Sequence, residues 1–297
     1  MILIGSKYKF NELEKEILKK NIVYVKPDKN EIEKLLSKND FKYLILNTEK
    51  IDNELIKYLT SLELQGYKFL TIEHFFENYL QKLYIPNNDT KISYLEEIKP
   101  YNKLEYLIKR IIDYIISIPL LILSLPIMAY AAYRIKKESP DGPIIFKQKR
   151  VGKGGKEFVC YKFRSMIPDA EKEKPQFASK DDPRVFKWGA FMRKTRIDEL
   201  PQLINVLKGD MHLVGPRPER KYWIDIFEKE IPYYNQRHLV APGITGWAQV
   251  NYPYGKNIED TRQKLMYDLY YIKNWSIWLE IKTIFKTLKV IIKKRGV

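Results

Sequence analysis

Residues 111–133 read IIDYIISIPLLILSLPIMAYAAY, and the course of this stretch decides how the rest of the chain is arranged. It is long enough to cross a bilayer as a helix, which takes about 20 apolar residues. Its interruptions are Asp113, a few short polar positions, and Pro119 and Pro126. Each proline removes a backbone donor and crowds the preceding turn, so a break or kink is expected near the middle. Both flanks are basic, with Lys103, Lys109 and Arg110 before and Arg134, Lys136 and Lys137 after. Positive flanks favour the cytoplasmic side at both ends. The expectation is a re-entrant membrane helix hairpin over residues 106–137, bent at Pro126. The alternative is a buried core helix of a soluble domain. A third of the way along the chain, the segment does not read as a cleaved signal peptide.

Outward toward the N-terminus, short apolar runs at 1–4, 22–25, 43–46 and 68–72 alternate with helical-period segments at 10–20, 31–37, 52–65 and 74–84. That alternation predicts an α/β fold: a small Rossmann-like parallel domain over 1–86. After the first strand, Gly5-Ser6-Lys7-Tyr8 offers one glycine where a dinucleotide fingerprint needs three, so nucleotide binding is not expected there. Polar residues 87–105 read as a linker, with Asn87-Asn88-Asp89 as its turn. Toward the C-terminus, 138–297 reads as a mixed α+β domain. Runs at 144–148 and 157–163, joined around Gly152-Lys153-Gly154-Gly155, predict a hairpin. A helix is predicted over 200–207, stopped by Gly209. Residues 275–294 interleave Trp278, Ile281, Phe285, Leu288 and Ile292 with Lys282, Lys286, Lys289 and Lys293, and Glu280 is their only acid. This is a basic amphipathic helix suited to an anionic membrane surface.

Composition narrows the function classes. With 45% apolar and 30% charged residues among 297, and a mean hydropathy of -0.41, the chain is too polar for a many-helix transporter and too apolar for a disordered protein. Its single cysteine, Cys160, excludes an intrachain disulfide framework and a cysteine-cluster zinc site. His74, His212 and His238 lie far apart in sequence, so any metal is expected to be a hard ion held by carboxylates and phosphate oxygens. Lys and Arg total 53 against 37 Asp and Glu, a net +16, which favours a polyanionic partner. Nucleic acid is not expected, since no nucleic-acid motif is present and the basic residues lie beside apolar segments. A non-enzymatic basic adaptor at a membrane surface is the remaining alternative to an enzyme acting on phosphorylated substrates.

The chemistry concentrates in Arg193-Lys194-Thr195-Arg196-Ile197-Asp198-Glu199-Leu200-Pro201-Gln202, where two carboxylates adjoin three cations near a helix start. Pro201 in a first turn is consistent with Asp198 as the N-cap; Thr195 as the cap, with Asp198 closing a capping box, is the competing reading. Either way Asp198 would lie at the positive end of a helix dipole, which favours its ionised form. Neighbouring helical residues point about 100° apart, so Asp198 and Glu199 should hold separate tasks. In Gly215-Pro216-Arg217-Pro218, two prolines stiffen the backbone around one guanidinium, a fork suited to phosphate. Lys162 and Arg164, two apart on a predicted strand, would face one side and clamp a second phosphate.

Residues 110–273 resemble the bacterial polyprenyl-phosphate phosphoglycosyl transferases of the monotopic type. The likeness rests on Gln148-Lys149-Arg150-Val151-Gly152, Tyr161-Lys162-Phe163-Arg164-Ser165-Met166, Asp181-Asp182-Pro183-Arg184, Asp198-Glu199-Leu200-Pro201-Gln202, Asn205-Val206-Leu207-Lys208-Gly209-Asp210-Met211, Gly215-Pro216-Arg217-Pro218 and the run 242–251, PGITGWAQVN. The resemblance implies a re-entrant helix broken at Pro126 and a nucleophilic Asp198 that attacks the β-phosphorus of a UDP-sugar. UMP would leave, and undecaprenyl phosphate would then take the phosphosugar, opening polysaccharide, O-antigen, capsule or glycoprotein glycan synthesis. It further implies Mg²⁺, with Asp198 and Glu199 as its ligands, and phosphate contacts from Lys162, Arg164, Arg184, Arg193 and Arg217. The implied place is the cytoplasmic face of the bacterial inner membrane, among its lipids. Three positions depart from the family pattern: Leu125 precedes Pro126, with Ser124 one place earlier; His212 follows Gly209-Asp210-Met211; and Tyr252 follows Asn251. The last two are expected to bear on sugar choice. The first hundred residues resemble the α/β domain of larger members, for which homodimer formation or regulation is the expectation.

Overall fold

The computed structural model describes residues 1–19, 22–37, 41, 43–86, 96–168, 170, 182–253, 255 and 257–292, which fall into two compact units, Met1–Tyr84 and Ile85–Val297. The turn at Asn87-Asn88-Asp89, the acid Asp181 and the lysine Lys293 lie outside the described residues.

The first unit runs β1 (Ile2–Ile4), α1 (Glu12–Leu18), β2 (Val23–Val25), α2 (Lys29–Leu36), β3 (Tyr43–Leu46), α3 (Asn53–Leu64), β4 (Lys68–Thr71) and α4 (Ile72–Phe75). All four strands are parallel, in the order β2-β1-β3-β4. Asn11, Asp28 and Asp52 cap the first three helices by accepting an amide three residues on, which starts each helix where the sequence pattern switches period. Ile2, Ile4 and Leu44 from the sheet meet Ile32, Leu55, Leu59 and Leu62 from the helices in one core. Strand order reverses between β1 and β3, where α/β sheets commonly open a crevice. Here Asn47 fills it, donating to the carbonyls of Gly5 (3.2 Å) and Tyr8 (2.8 Å) and accepting the Tyr8 amide (2.9 Å). The helix expected from His74 starts at Ile72 instead. Thr71 accepts the His74 amide, so the strand ends there, and α4 runs on through a π turn at Phe76–Leu80.

The second unit comprises α5 (Lys103–Glu138), β5 (Ile145–Val151), β6 (Glu157–Phe163), α6 (Lys187–Thr195), a 3-10 turn (Ile197–Glu199), α7 (Gln202–Lys208), β7 (His212–Val214), α8 (Lys221–Glu230), β8 (Gly243–Thr245), α9 (Trp247–Asn251), α10 (Ile258–Lys273) and α11 (Ile277–Ile292). Strands β5 and β6 form the expected antiparallel hairpin, and β7 pairs with β8 in parallel.

The hairpin expected over 106–137 takes a different form. Residues Lys103–Glu138 are one helix of 36 residues, with Pro119 and Pro126 inside it rather than at a turn between two helices. A proline forfeits its own hydrogen bond and bends a helix without ending it where the flanking turns stay paired. In the turn before Pro126, the Ser124 hydroxyl donates to the Leu121 carbonyl (2.9 Å). The helix is long and apolar enough to cross a membrane. Ile115, Ile122, Leu123, Leu125 and Ile127 are exposed along it, while Arg110, Asp113, Ser117, Ser124, Ala131 and Ile135 form a buried stripe.

Charges inside an apolar helix demand partners, and the first turns of α5 find them. Lys109 donates to Glu280 (2.7 Å) and to the Tyr271 hydroxyl (2.8 Å); Glu280 also accepts from Tyr271 (2.6 Å) and from the Trp275 indole (3.0 Å). Arg110 donates to the Val206 carbonyl at the end of α7 (2.9 Å) and to Asp113 (3.2 Å). Asp113 in turn accepts the Leu213 amide (2.9 Å) and the His212 Nδ1 (2.5 Å). Farther along, Ala131 and Ile135 pack with Phe163 and Met192.

Lys109→Met would leave the Glu280 carboxylate buried without its cation, a loss of about 3–5 kcal/mol. The thermal midpoint of purified protein in detergent should fall accordingly, and Lys109→Met/Glu280→Gln should recover most of it. An unchanged midpoint in the single variant would contradict the assignment.

Candidate active site

Helix α6 ends at Arg196, whose φ of 61° places it in the left-handed region uncommon for a residue with a side chain. This reversal starts the 3-10 turn Ile197–Glu199 and turns both acids inward. Neither expected cap forms. Asp198 sits within the turn, Thr195 donates back to the Phe191 carbonyl (2.8 Å), and α7 begins at Gln202, two residues later than predicted, without a side-chain cap. The chain has already reversed at Arg196, so no side chain is placed to reach the free amides of α7.

Asp198 and Glu199 are 7% and 6% exposed. One Glu199 oxygen, Oε1, gathers Lys162 (2.8 Å), both terminal nitrogens of Arg217 (3.5 and 3.4 Å) and Arg196 (3.7 Å). Asp198 Oδ1 is buried with no hydrogen-bond partner among the described residues. Lys162 arrives from β6, which is held to α7 by Asn205: its carboxamide accepts the Tyr161 amide (3.0 Å) and donates to the Val159 carbonyl (2.7 Å). Arg217 arrives from a loop fastened at three points. Arg237 donates to the Arg217 carbonyl (2.8 Å), Arg150 to the Pro218 carbonyl (3.1 Å), and the Val151 amide to the Glu219 carbonyl (2.9 Å).

Of the sequence-predicted residues, then, Lys162, Asp198, Glu199 and Arg217 come together. Arg164 does not join them. Strand β6 ends at Phe163, so its alternation stops one residue short, and the Arg164 guanidinium is buried on Ser139 (2.7 and 2.5 Å) and the Pro143 carbonyl (2.7 Å). Arg184 grips Asp182 (2.8 and 2.6 Å). Arg193 donates to the Ser165 hydroxyl (3.0 Å), where α6 approaches so closely that a Cβ on Gly189 would lie 2.1 Å from the Ser165 carbonyl oxygen. His212 is buried between Asp113 and the Tyr101 hydroxyl (2.8 Å). Arg196 was legible only as one more cation in the motif; its ion pair depends on a left-handed backbone that no residue type there announces.

The two acids hold opposite electrostatic positions. Burial, then the neighbouring Glu199 charge, raises the Asp198 carboxyl above the ordinary range, with Lys162, Arg196 and Arg193 opposing. Burial would raise Glu199 as well, but Lys162, Arg217 and Arg196 together hold it well below. Glu199 is thus a fixed anion that fastens cations, and Asp198 a desolvated carboxylate with an uncommitted oxygen. Such a pair fits a nucleophile set among groups that receive phosphate charge. Among the described residues no three His, Cys, Asp or Glu side chains cluster as a metal site. Two carboxylates with one free oxygen nonetheless suit Mg²⁺, which commonly takes one or two carboxylates and completes its shell with substrate phosphates and water.

Comparison with known proteins matches residues 104–294 to the family described as bacterial sugar transferase. A UDP-N-acetylgalactosamine-undecaprenyl-phosphate N-acetylgalactosaminephosphotransferase from Aeromonas hydrophila is 51% identical over 189 residues, 64% of this chain and 44% of that protein. A UDP-glucose:undecaprenyl-phosphate glucose-1-phosphate transferase from Xanthomonas campestris pv. campestris is 44% identical over 182 residues, 60% and 37% of the two chains. An undecaprenyl-phosphate galactose phosphotransferase from Salmonella typhimurium is 41% identical over 205 residues, 64% and 41%. The chain spans less than half the length of each of these relatives.

The raised Asp198 carboxyl has a signed consequence for stability. A carboxyl whose folded pKa exceeds its unfolded value of about 3.9 destabilises the fold when ionised; the cost is absent below the unfolded pKa and complete above the folded one. Asp198→Asn should therefore unfold at a higher temperature than the native protein at neutral pH, with the gain vanishing in acid. A gain that is the same at both pH values would contradict the electrostatic reading.

Proposed function

The chain belongs to the bacterial sugar transferase family, and from that premise we propose that it transfers a phosphosugar from a UDP-sugar to undecaprenyl phosphate. The observation that carries this reading is the buried Asp198 carboxylate, one oxygen uncommitted, beside a Glu199 that binds Lys162, Arg196 and Arg217.

In the proposed reaction an Asp198 oxygen attacks the β-phosphorus. The bond from that phosphorus to the oxygen bridging the α-phosphate breaks, its electron pair leaves with UMP, and the phosphosugar stays on the carboxylate as an acyl phosphate. An oxygen of undecaprenyl phosphate then attacks the same phosphorus, the bond to Asp198 breaks, and the carboxylate is regenerated. Splitting the transfer gives two displacements in place of one reaction between two bound anions. Burial removes water from the Asp198 oxygen, which makes it a stronger nucleophile and protects the acyl phosphate from hydrolysis. Arg217, held near Glu199 by its fastened loop, meets the phosphate charge as it develops, and Lys162 and Arg196 share that task. Mg²⁺, held by the Asp198 and Glu199 carboxylates, would supply further neutralisation of the diphosphate.

The acceptor is a lipid, so the site must work at a membrane. The apolar α5 with basic flanks supports a membrane-bound protein. Both ends of α5 pack on the same unit, Lys109 and Arg110 on α11 and α7, Ala131 and Ile135 on Phe163 and Met192. That supports a monotopic course, bent at Pro126, on the cytoplasmic face of the inner membrane.

UMP release should be measured with Mg²⁺ and undecaprenyl phosphate over a panel of UDP-sugars that includes those in the relatives' names. One sugar should support release, Asp198→Asn should abolish it, and Arg217→Ala should lower kcat by about 10²–10³-fold. Full activity in Asp198→Asn would refute the nucleophile assignment.

A further inference from the structure

Helix α11 turns a row of large apolar side chains outward: Trp278, Phe285, Leu288 and Ile292 are 80%, 62%, 50% and 78% exposed. Beside that row, two of its lysines turn back over one buried indole. The Lys282 and Lys286 ammonium groups lie 5.2 and 4.4 Å from the centre of the Trp247 ring, and Lys286 also donates to Asn251 Oδ1 (2.5 Å). Like charges one helical turn apart repel. No acid of α11 serves them, because Glu280, the only one, is committed to Lys109 on the other side of the helix. Helix α9, which packs against α11, brings Trp247 and Asn251 and no carboxylate. Burial, with Lys282 and Lys289 nearby, pushes Lys286 down to about 8, so an anion here would relieve both desolvation and repulsion.

We propose that Lys282 and Lys286, set over Trp247, form a site for the headgroup of an anionic phospholipid whose acyl chains lie along the exposed row of α11. The arrangement has the two parts such a ligand requires, side by side: a cation pair for the phosphate and an apolar strip for the chains. The site is separate from the carboxylate pair at Asp198 and does not depend on the transfer reaction proposed above.

The test is native mass spectrometry of the full chain in detergent, titrated with phosphatidylglycerol or phosphatidylcholine, with inorganic phosphate as competitor. Phosphatidylglycerol should bind in preference to phosphatidylcholine. Lys282→Gln/Lys286→Gln should weaken its binding by about thirtyfold, since each lysine near an anionic lipid surface gains roughly fivefold. Lys282→Arg/Lys286→Arg should retain it, and a native-like thermal midpoint would show that the glutamine variant is folded. Equal binding of the two lipids, undiminished binding in the glutamine variant, or displacement of the lipid by inorganic phosphate would each overturn the proposal. Should the glutamine variant not fold, the contrast between the two lipids on the native protein and on the arginine variant still decides.

Discussion

One oxygen atom organises the site. Glu199 Oε1 is buried within reach of Lys162, Arg196 and Arg217, which come from β6, the end of α6 and the loop after β7. A buried carboxylate without counter-ions is untenable, and three cations crowded together without an anion would be equally so. The cluster therefore exists only as a whole. Its consequence falls on Asp198, which is left to face burial and the Glu199 charge with no strong partner of its own. The same sequence neighbours thus become a counter-ion and a reactive group, separated by one residue of a 3-10 turn.

The long helix α5 is part of this arrangement through the far end of α7. Arg110 donates to the Val206 carbonyl at the C-terminal end of α7, whose N-terminal end follows directly on the Asp198 turn. Asn205, on the same helix, fastens β6 and with it Lys162. The apolar segment and the carboxylates are in this way joined by one short helix of seven residues. Lys109 adds a second attachment through Glu280 to α11, the helix with the exposed apolar row. The elements suited to lipid and the elements suited to phosphate share a frame, as a transfer between a soluble donor and a lipid acceptor requires.

Much of this was legible in the amino-acid sequence where local rules decide the outcome. Period and turn chemistry located the four parallel strands, the β5–β6 hairpin and the stop of α7 at Gly209, because alternation and glycine act over a few residues. The two acids, Lys162 and Arg217 were legible from charge density and flanking prolines. What escaped depends on tertiary geometry. The left-handed Arg196 displaced both cap readings, and the end of β6 at Phe163 withdrew Arg164 from the site. The prolines of α5 invited two helices, yet flanking turns kept their bonds and the helix runs through them. Asp113 stood out only as an interruption of an apolar run; its partners, Arg110, His212 and Leu213, include two residues a hundred positions away.

The central claim is that Asp198 carries the phosphosugar between donor and acceptor. It is tested most directly by intact-mass measurement of the protein mixed with Mg²⁺ and its UDP-sugar in the absence of any lipid acceptor. The account predicts one added phosphosugar per chain, mapping on digestion to the peptide that contains Asp198 and disappearing when undecaprenyl phosphate is added. A protein that turns over with acceptor present but never gains mass without it would contradict the account and point to direct transfer between the two substrates.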